Sequence, residues 1–99
     1  MLSLTSNEIS KIENLDGLNL EELWLSENNI KKIEGLDQLS LLRRLDLSKN
    51  KIKRLSGLES IERLKFLLIA HNQIAKINEL QHIENLQELT ELDLCFNEI

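Results

Sequence analysis

The stretch from Leu42 to Leu64 reads LRRLDLSKNKIKRLSGLESIERL. Its apolar residues change period partway. Leu45-x-Leu47 alternates with period two, which puts both leucines on one face of a short strand. After Asn50 the period becomes three, through Ile52, Leu55, Leu58, Ile61 and Leu64. An α-helix drifts by about 60° with each three-residue step. A 3₁₀-like coil keeps every third residue on one face. The stretch therefore predicts a strand, a turn at the asparagine and a 3₁₀-rich return.

The same phrase recurs on both sides. Asn7, Asn28, Asn50, Asn72 and Asn97 each follow an apolar pair, at spacings of 21, 22, 22 and 25. The five repeats cover about 1–19, 20–41, 42–63, 64–88 and 89–99. They offer 31 apolar slots, and leucine or isoleucine fills all of them. Such a repeat cannot bury its own leucines; a stack forms one continuous core. The expected architecture is an α/β solenoid, a curved right-handed coil of five repeats. Its parallel sheet is concave and its convex side is 3₁₀ or short-helical. The asparagines are expected to face inward and form a ladder, each amide serving backbone groups that the turn leaves unpaired. The fourth repeat carries an extra triplet that keeps the phase, which predicts a longer convex helix near 79–89.

The pattern resembles the short, 22-residue class of leucine-rich repeats. The stretch Asn7 to Asn28, NEISKIENLDGLNLEELWLSEN, is similar to repeats of the leucine-rich regulatory subunit of protein phosphatase 1 and of the axonemal dynein leucine-rich light chain. The likeness covers all five repeats and carries the scaffold only. It implies a protein partner bound on the concave sheet, in a phosphatase-regulatory or a ciliary or cytoskeletal adaptor. The terminal caps of that class match nothing here, so the chain reads as a fragment. Bare edge strands then allow end-to-end self-association. The alternative is a spacer within a larger multi-domain protein.

The frame also selects surface residues. Trp24, Asp46, Leu68 and Asp93 stand between the strand leucines, pointing outward, and Glu22, Arg44, Phe66 and Glu91 precede them. Trp24, Phe66 and Leu68 are apolar in slots that are otherwise mostly polar. With Phe96 they form the expected partner face, rimmed by Glu22, Arg44, Asp46, Glu91 and Asp93. An exposed aromatic beside the small column Thr5, Ser26, Ser48, Ala70 and Cys95 predicts a shallow pocket.

Net charge is −5, but it is segregated: −5 over 1–42, +6 over 43–76 and −6 over 77–99. The basic belt is expected to be a solvated surface whose repeats attract one another. Acidic belts flank it and only Phe66 interleaves, which argues against nucleic acid. The column Lys11, Lys32, Arg54 and Lys76 reads as a solvated edge whose stems cover core leucines.

Catalysis is not expected. No glycine-rich loop precedes a basic residue, so no cofactor is predicted. Cys95, His71 and His82 are too few for a structural zinc site, and one cysteine excludes an internal disulfide. Cys95 and His71 fall in adjacent outward slots where a diagonal contact is feasible, and His82 reads as solvent-facing. The longest apolar run, Phe66 to Ala70, is too short to span a membrane. A reducing, cytoplasmic setting is expected, with nucleus or cilium as alternatives.

Overall fold

The computed structural model describes residues 1–99. Five strands, β1 (Leu2–Ser3), β2 (Glu22–Trp24), β3 (Arg44–Asp46), β4 (Phe66–Leu68) and β5 (Glu91–Asp93), form one parallel sheet in sequence order. Equivalent residues pair: Leu23 with Leu45, Leu45 with Leu67, and Leu67 with Leu92. The ladder continues past the strands. Leu47 N–H donates to the Leu68 carbonyl at 2.7 Å, and Lys51 N–H donates to Ile30 at 2.8 Å.

The three-residue period becomes a chain of i→i+3 turns. Leu39 donates to Leu36 and Leu42 to Leu39; Ile61 donates to Leu58 and Leu64 to Ile61. Leu36, Leu39, Leu58 and Ile61 are thus turn termini as well as core side chains. Twenty-one buried residues make one cluster running through the stack. In the three inner repeats, Leu23, Ile30, Leu36, Leu45, Ile52, Leu58, Leu67, Ile69 and Ile74 are fully buried.

Three details depart from expectation. The convex helix is a 3₁₀ helix at Ile77–Ile83, not 79–89. Beyond Ile83 the chain falls back into separate turns, with Leu86 donating to Ile83 and Leu89 to Leu86, because a three-residue period suits short 3₁₀ pieces. Not every frame slot is core: Leu18 is 43% exposed, Ile77 69% and Ile99 53%. All three lie toward the ends of the stack, where a repeat is covered on one side only. Leu86, from the extra triplet, joins the core instead.

Gly57 and Glu79 solve one packing problem in two ways. Gly57 has φ +102°, and a Cβ there would collide with the Ile33 carbonyl. In the next repeat, Glu79 sits within the 3₁₀ helix. Its carboxylate accepts the Leu55 backbone N–H at 3.0 Å. A side-chain bond replaces the close backbone approach.

Candidate functional site

The asparagines occupy the exit from each strand. Asn50 Oδ1 accepts the N–H of Ile30 at 3.0 Å, and its Nδ2 donates to the carbonyls of Leu25 and Leu47, each at 3.0 Å. Asn72 and Asn97 bond to their preceding repeats in the same way. Asn28 accepts two N–H groups, from Asn7 at 3.1 Å and Ile9 at 3.0 Å. The Asn7 side chain donates only within its own repeat. The residue before each asparagine is held in the left-handed region. Ser6, Glu27, Lys49, His71 and Phe96 have φ between 57° and 60°, although none is glycine.

This scaffold presents the concave face. Glu22 pairs with Arg44 and Arg44 with Phe66; Trp24 pairs with Asp46 and Asp46 with Leu68. Arg44 stands over both aromatic rings, 4.3 Å from the Phe66 centroid and 5.5 Å from that of Trp24. Its Nε is 4.0 Å from Glu22 Oε2, and Trp24 Nε1 donates to Glu22 Oε1 at 3.4 Å. Each cation–π contact of this kind contributes about 0.5–2 kcal/mol. Arg44 is therefore a wedge between the rings as well as a rim charge. The frame showed a cation in repeat three between aromatics in repeats two and four, but not that its side chain spans both rings.

The rings are packed and not free-standing. Trp24, Phe66 and Leu68 are half-buried, not exposed. The cleft near them, about 180 Å³, lies at the strand starts among Met1, Glu21, Glu22, Arg43, Arg44 and Phe66. None of the small-column residues lines it. Leu68 is flanked in register by Asp46 and Asp93, and Phe66 by Glu91. Asp46 and Asp93 also work locally, accepting the backbone N–H of Ser48 at 2.9 Å and Cys95 at 3.0 Å.

Phe96 lies apart from this cluster. It is 75% exposed and stacks on His71, centroids 4.3 Å apart and rings 11° from parallel. That stack also disposes of the Cys95–His71 pairing. The His71 ring faces Phe96, while the Asp93 carboxylate accepts the Cys95 backbone N–H at 3.0 Å. Hydrogen bonding to that carboxylate and its negative charge push the thiol up from its ordinary value, the opposite of nucleophile activation. Bonds from the Cys95 backbone and thiol hold Asp93 below the usual carboxylate range. His82 is not simply solvent-facing: it lies between Glu59, at 3.6 Å, and Glu79, at 3.7 Å.

The basic belt is stitched to its neighbours at one point only. Lysine or arginine meets a carboxylate within 4.0 Å only at Lys11–Glu13 and Arg44–Glu22. Arg44–Glu22 is the one such pair between repeats; the rest of the belt stands as an open surface.

Residues 18–60 match the family described as Leucine Rich repeats (2 copies). The chain has a leucine-rich-repeat fold. This leucine-rich-repeat chain is similar to an internalin (inlF) from Listeria monocytogenes str. 4b F2365, at 30% identity and TM-score 0.78, over 92% of this chain and 26% of that one. It is also similar to an internalin C2 (inlC2) from the same strain, at 33% identity and TM-score 0.85, over 98% and 42% of the two chains. It thus spans less than half the length of either internalin. No curated protein sequence matches it.

Proposed function

We propose that this leucine-rich-repeat chain is a non-catalytic interaction module that binds a protein partner on its concave face. The Trp24–Arg44–Phe66 stack beside Leu68 carries the reading. Side chains already held against one another lose little freedom on binding, so the cost of ordering the surface is low. Asp46, Glu91 and Asp93 around Leu68 and Phe66 favour a partner with an aliphatic or aromatic residue flanked by lysine or arginine.

The test is the double variant Trp24→Ala/Leu68→Ala in affinity capture from cell extract, with a thermal melt alongside. We expect captured proteins to be lost, since tryptophan anchors are worth about 2 kcal/mol or more. Intact capture with a lowered melting temperature overturns the reading in favour of a spacer whose concave residues only support the fold. Two narrower versions rest on the resemblance alone: a phosphatase-regulatory subunit and a ciliary or cytoskeletal adaptor. A phosphatase catalytic subunit or a dynein heavy chain among the captured proteins separates them. The free, exposed Cys95 is in keeping with a reducing compartment such as the cytoplasm. End-to-end self-association belongs to the same proposal, because β1 and β5 each pair on one side only.

A further inference from the structure

Away from the concave face, the returns of repeats two and three enclose a cleft of about 370 Å³, lined by Lys31, Lys32, Ile33, Lys53, Arg54 and Ser56. Four of its six residues are cationic and none is acidic. A second cleft of about 340 Å³ shares Lys53 and Arg54 and adds Lys76 from repeat four. Neither Lys31, Lys32, Lys53, Arg54 nor Lys76 has a carboxylate within 4.0 Å. Of the two acids on the second cleft, Glu79 is already engaged by the Leu55 N–H and by His82. The other, Glu98, is exposed.

We propose that this groove is a second binding site, and that it takes a carboxylate-rich extended protein segment. The cations stand in rows one repeat apart, about 5 Å at the sheet and wider on the outer side. Alternate side chains of an extended segment are about 7 Å apart. Successive carboxylates therefore reach successive rows, with Arg54 offering a bidentate fork and the Ser56 hydroxyl a neutral donor. Nucleic acid fits less well. No aromatic ring lines either cleft to stack a base, and the flanking belts of −5 and −6 repel a long polyanion. A membrane fits less well too, since Ile33 is 1% exposed and offers nothing to insert.

Fluorescence anisotropy with a labelled peptide alternating Glu and Gly, at low salt, tests the site. The variant Lys32→Ala/Arg54→Ala is expected to weaken binding about tenfold, the scale of two charge contacts. Arg43→Ala/Lys65→Ala removes the same charge from the strand starts and is expected to change it less than about twofold. Trp24→Ala/Leu68→Ala is expected to leave it unchanged, which separates this groove from the concave face. Matched melting temperatures show that the variants are folded; should Lys32→Ala/Arg54→Ala melt early, Arg54→Gln alone carries the comparison. Equal weakening by the two charge pairs overturns the proposal, because net charge then accounts for the binding. Tighter binding of oligouridylate or anionic phospholipid vesicles overturns the choice of ligand.

Discussion

Asn50 is under 10% exposed and bridges two repeats, with bonds to Ile30, Leu25 and Leu47. Alanine there leaves buried backbone groups of both repeats without partners. The expected loss in urea unfolding is about 2–4 kcal/mol. Asn7→Ala is expected to cost under about 1 kcal/mol, since Asn7 is exposed and its side chain bonds only within its repeat. The residue preceding each asparagine pays for this ladder with left-handed backbone, at about 1 kcal/mol each. No glycine marks that column, so the conformation was invisible in the sequence; the asparagine bonds impose it. Asp93 and Cys95 make a local pair with a pH signature. Because Asp93 is held below the usual carboxylate range, the stability it adds is present above its unfolded value. That contribution is lost as pH falls through the lowered one, below about pH 4. The raised thiol predicts slow alkylation of Cys95 by iodoacetamide near neutrality, and Asp93→Asn is expected to speed it.

At the scale of elements, strand position and phase were legible because the slots repeat without error. The change from period two to period three places both the strands and the i→i+3 turns. The helix was misplaced because phase alone does not say how many successive turns merge. Glu79 helps decide that, by anchoring Ile77–Ile83 to the Leu55 N–H. The glycine turns are a sharper test of how close the returns lie. Gly57→Ala must both hold φ +102° and push aside the Ile33 carbonyl. It is expected to cost more than about 2 kcal/mol by chemical denaturation. Gly17 has φ +85° but open space around it, so Gly17→Ala should cost about 1 kcal/mol. The concave cluster was legible as a set of outward slots. The Arg44 wedge was not, because its position depends on which rotamer spans two strands.

For the whole molecule, stability accumulates repeat by repeat, and the ends bury least. Leu18, Ile77 and Ile99 are exposed although the frame marks them as core. The open edges of β1 and β5 predict that the average molar mass by light scattering rises with protein concentration. A constant monomer mass removes end-to-end association. The sequence by itself determined the architecture. Its 31 leucine and isoleucine slots can be buried only by stacking the repeats, and the five asparagines mark the strand exits. That information is local and periodic, so one repeat suffices to read it. Only the tertiary structure decided which slots stay wet, where the extra triplet becomes helix, and that Arg44 wedges between two rings. It also left the basic returns of repeats two to four without carboxylate partners. Those outcomes depend on distances between side chains of different repeats, which no single repeat contains.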